Sequence, residues 1–230
     1  MKYLLCFVLF LFFRLQSESQ TIKIMTYNLL AWSESNEDGR TAQMQKIFTA
    51  INPDIVVMQE VVEEAAINAL RTSLNNRSYS MMEYKDIEDT ECSCYYDPSL
   101  FAPISAKFIA TTLRDISVYN LLELKTQDTF RIYTAHFKAA DDEATQRAEE
   151  AQLMYDDLFQ YMNRPKNHIV AAGDFNIYSQ KNRHISFLLV LEHYQHGMTI
   201  NEVGRETQRI ISHIILKQRE QIPTVLVAVV

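Results

Sequence analysis

A short apolar run that ends in polar side chains, His168-Ile-Val-Ala-Ala-Gly-Asp174-Phe-Asn176, is the part of this sequence best suited to chemistry. An apolar run bounded in this way predicts a buried strand whose carboxyl end delivers polar groups to a surface cleft. There the Asp174 carboxylate can orient or deprotonate a water, and the Asn176 amide can donate to an oxygen that gains charge. Both roles suit chemistry on phosphate. The same residues taken alone also make ordinary turns.

Polar side chains stand at the ends of other predicted strands as well. Glu60 supplies the hard carboxylate oxygen that a magnesium-like ion prefers, and Asn28 can add a neutral oxygen or orient that carboxylate. Arg114 offers a fork of donors suited to phosphate. His136 can donate to a phosphate oxygen or move a proton near neutral pH.

Each of these residues also has a purely structural interpretation. Asn28 can cap the following segment, and Glu60 can begin a helix, where the helix dipole favours a carboxylate. Arg114 can form a surface ion pair with Asp115, worth well under about 1 kcal/mol. His136 can be an ordinary half-buried histidine. Taken one at a time, these residues do not establish a site.

The elements that must position these groups follow from the hydrophobic pattern. The predicted strands cover residues 21–28, 54–60, 79–84, 92–96, 105–111, 115–124, 129–136 and 168–174, and 115–124 forms a hairpin with 129–136. The predicted helices carry Met44, Ile47, Phe48 and Ile51; Ala65, Ala66, Ala69, Leu70 and Leu74; and, near the carboxyl end, Ile185, Leu188, Leu189 and Glu192. A longer helix over about 141–162 is predicted to bury Ala151, Tyr155, Leu158, Phe159 and Met162.

Composition places the chain among ordinary globular proteins and leaves room for one substantial core. It has 230 residues, of which 47% are hydrophobic and 22% charged, and a net charge of −7. An acidic surface argues against a protein that coats nucleic acid by charge alone, but it allows an enzyme with a local basic groove. Cys92 and Cys94 are too close for an unstrained disulfide, and two ligands do not make a zinc site. We expect two half-buried thiols on one strand.

The amino-terminal segment has the parts of a secretory signal peptide. A positive end, the apolar run from Tyr3 to Phe13 and small residues before a plausible cleavage after Ser19 follow in that order. The apolar run is too short to span a hydrocarbon core of about 30 Å. We therefore expect a signal peptide at 1–19, a single domain at 20–230, a secreted or periplasmic location, and no integral membrane span in the mature chain.

Five phrases of the sequence together resemble the endonuclease/exonuclease/phosphatase superfamily, which includes deoxyribonuclease I, abasic-site endonucleases, neutral sphingomyelinases and inositol-polyphosphate 5-phosphatases. The resemblance covers about residues 21–180, and the Gln-Glu and Gly-Asp-Phe-Asn phrases are its most specific parts. The phrases are Thr26-Tyr-Asn28-Leu-Leu, Pro53-Asp-Ile-Val-Val-Met-Gln-Glu60, Leu113-Arg114-Asp-Ile, Tyr133-Thr-Ala-His136-Phe-Lys-Ala and Gly173-Asp174-Phe-Asn176.

The resemblance implies an α+β fold, a four-layered α/β/β/α sandwich of two mostly antiparallel sheets. It also implies hydrolysis of phosphoester bonds with Mg²⁺, or alternatively Mn²⁺. Glu60 would be the main metal ligand with Asn28 beside it. The motif match makes His136 and Asn176 stabilisers of the phosphoryl transition state, makes Asp174 the residue that positions the attacking water, and makes Arg114 a phosphate contact. The expected substrates are nucleic acid, a phospholipid head group or a small phosphodiester, and the protein is expected to act as a monomer.

The carboxyl-terminal part departs from the family pattern. Family members normally finish with a Ser-Asp-His phrase, whereas this chain has only Ser212-His213, with His193 and His196 as further candidates. The fold could therefore lack late strands. A binding module of the same fold with impaired catalysis stays open as an alternative. A doubly wound α/β protein is a third interpretation, but the hairpin and the absence of a glycine-rich phosphate loop count against it.

Overall fold

Short runs of β-branched, aromatic and other apolar residues make strands the main elements of the chain. The computed structural model describes residues 21–33, 40–64, 66–67, 70–71, 74, 77–87, 89–162 and 164–176, and the backbone of 186–191 and 225–229. The strands are β1 (Lys23–Trp32), β2 (Ile55–Val61), β3 (Ser80–Met81), β4 (Glu91–Tyr96), β5 (Phe101–Ile109), β6 (Ile116–Glu123), β7 (Thr129–Thr134), β8 (Asn167–Asp174), β9 (Ser186–Leu191) and β10 (Val225–Val229), and the helices are α1 (Arg40–Ile51) and α2 (Ala144–Phe159).

The strands form two mixed sheets. The first has the order β10-β1-β2-β4-β3, and the second has the order β5-β6-β7-β8-β9. Within these sheets β1 is parallel to β2 and β7 is parallel to β8, while the other described pairs are antiparallel. The predicted hairpin is present as β6 and β7. The α+β, mostly antiparallel architecture is thus confirmed.

Three hydrophobic clusters define the layers. The cluster between the sheets takes Ile24 and Val57 from the first sheet and Ile132 and Val170 from the second. A second cluster joins the outer face of the first sheet to α1, and a third joins the outer face of the second sheet to α2. Neighbouring residues of a strand enter different clusters because successive side chains point to opposite faces. The layer order is helix, sheet, sheet, helix.

The buried face of α2 differs from the predicted one. Of the predicted core residues, Leu158 is buried, whereas Tyr155 and Phe159 are 44% and 49% exposed. Two carboxylates take the inward positions instead. Asp157 accepts a hydrogen bond from the Tyr133 hydroxyl at 2.8 Å, and Glu150 accepts one from the Lys138 backbone N–H at 2.9 Å. A buried carboxylate must be hydrogen-bonded. Because Tyr133 and Lys138 supply such donors, the helix can turn these two polar residues toward the sheet.

The late part of the chain also differs from expectation. Residues 186–191 form β9 against β8, where a helix was predicted, and 225–229 form β10 against β1. Each sheet therefore has a late strand, so the expected shortage of late strands is wrong for these two positions. A short apolar run fits a strand or a helix equally well, and here the free edges of β8 and β1 supply the hydrogen-bond partners that select the strand.

Other expectations fall partly or wholly outside the described residues. These are the signal peptide at 1–19 and the histidines His193, His196 and His213. Within the described part of the chain, no helix is both long and apolar enough to cross a membrane. Cys92 and Cys94 are fully buried free thiols rather than half-buried ones, and burial raises the pKa of both above the ordinary value.

Candidate active site

The four strongest candidate residues converge at one edge of the sandwich. Asn28 and Glu60 lie on the parallel strands β1 and β2, so they share the carboxyl edge of the first sheet. His136 and Asp174 lie at the ends of the parallel strands β7 and β8, where an isolated bridge pairs them. Because the sheets face each other, these two edges meet. The sequence predicted polar groups at the ends of strands along one edge of a sheet, and the structure brings these four together.

The amide of Asn28 joins the two carboxylates of the site. Its Nδ2 donates to Glu60 Oε1 at 2.8 Å and to Asp174 Oδ2 at 2.9 Å. Its Oδ1 accepts the backbone N–H of Leu30 at 2.8 Å. Both amide hydrogens are therefore used on acidic oxygens. Of the two roles considered for Asn28, this geometry favours orienting the carboxylate over adding a neutral oxygen ligand.

A strained turn after Asn28 closes over Glu60. Leu30 and Ala31 both have φ of 52°, and Glu60 has φ of 63°, in the left-handed region that non-glycine residues rarely adopt. The Ala31 backbone N–H donates to Glu60 Oε2 at 2.8 Å. The Arg40 guanidinium donates to the carbonyls of Leu29 and Leu30. The pairing of β1 with β2 is irregular at this point, which re-aims Glu60 into the site.

The corner after β8 fixes Asp174. Its Oδ1 accepts a hydrogen bond from the backbone N–H of Asn176 at 3.1 Å, and Asp174 is buried, with 4% of its surface exposed. A Cβ on Gly173 would lie 2.9 Å from the backbone nitrogen of Ala135 and even closer to its carbonyl oxygen. Only glycine fits this approach between strands. The corner is thus set by close backbone packing as well as by hydrogen bonds.

Asn176 is placed beneath the surface of the site. It is fully buried, with φ of 47°, and its Nδ2 donates to the Phe137 carbonyl at 2.7 Å. This bond ties the corner after β8 to the segment that follows His136. The predicted donation from Asn176 to a phosphoryl oxygen stays a prediction, and the structure adds a positioning contact to it.

His136 faces Glu60 across the gap between the sheets. Its Nε2 lies 3.8 Å from Glu60 Oε1, and its Nδ1 is a buried atom without a hydrogen-bond partner in the described part of the chain. Burial lowers the pKa of His136 below its ordinary value, and the positive charge of Arg114 lowers that pKa further. Asp174 and Glu60 oppose this shift. A neutral imidazole can donate at one nitrogen and accept at the other.

Arg114 lies close enough to His136 for its charge to lower the pKa of the imidazole. Its Nε forms an ion pair with Asp89 at 2.8 Å and donates to the Thr90 hydroxyl at 3.0 Å. The surface pair with Asp115 considered above is not formed, because Asp115 pairs with Lys85. Arg114 Nη1 is buried without a hydrogen-bond partner among the described residues. A donor that is buried and unpaired is costly, so it is a candidate for a ligand oxygen.

The donor set suits a single hard cation at Glu60. Each Glu60 oxygen accepts one hydrogen bond, which leaves lone pairs free, and its side chain is 17% exposed. Within the described residues no group of three or more acidic, histidine or cysteine side chains forms a ready-made cage. Magnesium is commonly bound by one or two carboxylates together with water and substrate phosphate. These residues therefore fit Mg²⁺ better than a metal that needs several protein ligands.

Sequence reasoning missed the role of Gln59. It was part of the Gln-Glu phrase, yet no function was assigned to it. The structure buries it completely between the sheets, with hydrogen bonds to Thr26 and Thr134. An uncharged polar residue inside an otherwise apolar strand was the available signal.

No protein-family model matches the chain, and no curated protein matches it in sequence. Solved structures do match. Humanised TDP2 from D. rerio aligns with a TM-score of 0.60 and 16% identity, covering 70% of this chain and 65% of that chain. ANGEL2, a 2′,3′-cyclic phosphatase, aligns at 0.54 and 16%, covering 68% and 53%. The catalytic domain of human Nocturnin aligns at 0.51 and 19%, covering 68% and 65%.

These matches establish the fold. All three proteins are members of the endonuclease/exonuclease/phosphatase superfamily, which is the family that the sequence motifs resemble. The chain spans less than two thirds of the length of each of them. At such low identities the similarity concerns architecture, so the site residues rest on the geometry described above.

Proposed function

We propose that this protein hydrolyses phosphoester bonds, with a phosphodiester as the preferred class and a divalent cation such as Mg²⁺ held by Glu60. The observation that supports this most directly is the junction of Glu60, Asn28 and Asp174. Asn28 Nδ2 lies 2.8 Å from one carboxylate and 2.9 Å from the other, and the two carboxylates come from different sheets. Converging carboxylates beside a histidine and an arginine match the needs of attack on phosphorus.

Each side chain would act at a stated atom. Asp174 would orient a water and accept its proton while the water oxygen attacks phosphorus and the bond to the leaving oxygen breaks. His136, kept neutral by burial, would donate from Nε2 to a phosphoryl oxygen, with Asn176 as a second donor. Arg114 would offer its unpaired Nη1 to the same group. Glu60 would hold a divalent cation, which would supply positive charge beside the reacting phosphate.

The fold neighbours support this reaction class. One TDP2 structure contains a single-strand DNA product, and one ANGEL2 structure contains adenosine-2′,3′-vanadate. Nucleic acid and nucleotide-like phosphoesters are therefore the first substrates to test. The acidic net charge of −7 makes a short single strand or a small nucleotide a better first choice than long duplex DNA.

The test is hydrolysis by the purified protein of an oligonucleotide, a 2′,3′-cyclic nucleotide, a phospholipid and an inositol phosphate, with Mg²⁺ and with chelator. We expect turnover of at least one substrate with Mg²⁺, lost on chelation and lowered at least about a hundredfold by Glu60→Ala and by His136→Ala. His168→Ala is the matched control, because this histidine pairs with Asp128 outside the group described above. Activity that persists without metal in both site variants would overturn the proposal.

Binding measurements separate the hydrolase from the binding module of the same fold. Mg²⁺ should raise the melting temperature of the wild type but not of Glu60→Gln. Calorimetry that shows ligand binding without turnover of any substrate would favour the module, which would fit the missing Ser-Asp-His phrase.

Export through the amino-terminal segment is a second part of the proposal. Its support is the order of charge, apolar run and small residues within 1–19. Expression of the full chain in a secreting host should yield a mature protein that begins at Gln20. Retention of residues 1–19 on an intracellular product would refute this part. We also propose that the enzyme acts as a monomer, which light scattering can check.

A further inference from the structure

A chain of three polar side chains crosses the interior between the two sheets. The Thr26 hydroxyl on β1 donates to Gln59 Oε1 at 3.2 Å, and Gln59 Nε2 on β2 donates to the Thr134 hydroxyl on β7 at 3.1 Å. Thr26 is 1% exposed, and the other two are fully buried. We call these two linked hydrogen bonds the Thr26–Gln59–Thr134 relay, without implying proton transfer.

Much of the interior around the relay is apolar. Ile24, Val57 and Ile132 pack in the same space between the sheets. Apolar contacts of this kind are non-directional, so they do not by themselves fix how one sheet sits on the other. Well-packed apolar side chains at these positions would stabilise the protein about as much as the buried amide does, because the net gain from a buried hydrogen bond is small. The relay therefore calls for an explanation other than stability.

Each member of the relay lies next to a site residue. Asn28 comes two residues after Thr26, Glu60 directly follows Gln59, and His136 comes two residues after Thr134. Residues two apart on a strand share a face. The relay thus runs just below the site, and it joins the sheet that carries Glu60 to the sheet that carries His136. The Asn28–Asp174 bond joins the same sheets at the site itself.

We propose that Gln59 is a positioning residue, and that the relay fixes the separation between Glu60 on one sheet and His136 and Asp174 on the other. This inference rests on the proposed hydrolase function. Two directional links, the relay below and the Asn28–Asp174 bond above, resist sliding as well as separation of the sheets. Gln59 is fully buried and is not a catalytic residue. Loss of the Gln59 side chain should therefore lower the rate of hydrolysis by displacing Glu60 relative to His136 and Asp174. A shift of about 1 Å can lower a rate by about a hundredfold.

The first variants are Gln59→Met and Thr134→Val, which keep side-chain volume and remove the hydrogen bond. We expect kcat to fall by about tenfold to about a hundredfold with little change in KM, because the contacts to substrate remain. Thr134→Ser keeps the hydroxyl and should restore kcat to near the wild-type value. Gln59→Met combined with Thr134→Val should fall no further than the more severe single change, since both break the same relay.

Ile132→Val is the matched control for packing. Ile132 lies on β7 two residues before Thr134, is fully buried and belongs to the same interior cluster, but it is outside the relay. The Thr134 hydroxyl also contacts the Cys92 thiol, so Gln59→Met is needed to show that the link to Gln59 matters. Relay variants with wild-type kcat, or a drop in kcat for Ile132→Val as large as theirs, would overturn the proposal.

A second readout does not depend on turnover. In protein labelled at histidine, the imidazole resonances of His136 should shift in Gln59→Met and Thr134→Val, and stay in place in Thr134→Ser and Ile132→Val. If the wild type hydrolyses no substrate, the proposed function fails, and this spectrum alone decides the relay. Unmoved His136 resonances in folded relay variants would contradict it. If Gln59→Met does not fold, Gln59→Leu, which also removes the hydrogen bond to Thr134, takes its place.

Discussion

The Asn28 amide holds two acidic groups from different sheets, so its removal should expose how the site is held together. In Asn28→Ala, Glu60 and Asp174 lose their shared donor and face each other with nothing between them. Leu30 loses the oxygen that accepts its backbone N–H, which is part of the strained turn. We expect a substantial loss of stability at neutral pH together with a loss of activity.

The magnitude follows from the two bonds. A hydrogen bond to a charged partner contributes about 1.5 to 3 kcal/mol, so both bonds together give about 3 to 6 kcal/mol. The Glu60 side chain is 17% exposed, and water can replace part of what it loses. Asp174 is only 4% exposed, so water replaces little of what it loses, and the total does not fall below this range. We therefore expect the lower end, a loss of about 3 kcal/mol in the free energy of unfolding.

Urea unfolding with and without Mg²⁺ measures this loss. Asn120→Ala is the matched control, because Asn120 is 6% exposed and donates to the neutral Ser105 hydroxyl at 2.9 Å. Loss of that neutral bond should cost about 1 kcal/mol. Mg²⁺ should shrink the deficit of Asn28→Ala relative to the wild type, since a cation at Glu60 offsets the exposed charge. It should leave the deficit of Asn120→Ala relative to the wild type unchanged.

Two results would refute this reasoning. If Asn28→Ala without metal is no less stable than Asn120→Ala, the amide does not hold the carboxylates together. If Mg²⁺ leaves the deficit of Asn28→Ala relative to the wild type unchanged, the cation does not offset the charge at Glu60.

Three further changes test other parts of the structure. Gly173→Ala should destabilise the protein by about 3 kcal/mol in urea unfolding, because its Cβ would overlap the Ala135 backbone; a neutral effect would show that the strands can separate there. Burial, followed by the charges of Asp115 and Asp89, raises the pKa of Glu91 from 4.5 to about 8. Between these pH values the folded state keeps a proton that the unfolded state has lost. The free energy of unfolding therefore falls as pH rises from 4.5 to about 8. Glu91→Gln should therefore match the wild type near pH 5 and exceed it in melting temperature near pH 9, and equal pH profiles would contradict this. Ala140→Gly should raise the melting temperature by about 2 to 4 °C, since φ of 88° strains alanine and not glycine, and a lower value would count against strain at this position.

The sequence was most informative where an apolar run, which predicts a strand, ended in a side chain that can take part in catalysis. The apolar run before Asp174 and the β-branched run before Glu60 predicted strands and site residues together. The inward face of α2 could not be predicted in this way, because Asp157 is buried by Tyr133, which is 24 residues away along the chain. Gln59 was missed for the same reason, since its partner Thr134 is 75 residues away. Periodicity reports a preference for burial and contains no information about such partners.

Backbone strain is concentrated where the acidic groups are held. Leu30, Ala31, Glu60 and Asn176 all have positive φ, and each such residue costs about 1 to 2 kcal/mol. Three of their backbone N–H groups are bound by site side chains: Leu30 by Asn28, Ala31 by Glu60 and Asn176 by Asp174. The same bonds that orient the acidic groups therefore hold the strained turns, and neither can relax without the other. A phosphate that reaches this edge meets groups whose orientation was fixed during folding, which is the condition for electrostatic stabilisation without further reorganisation.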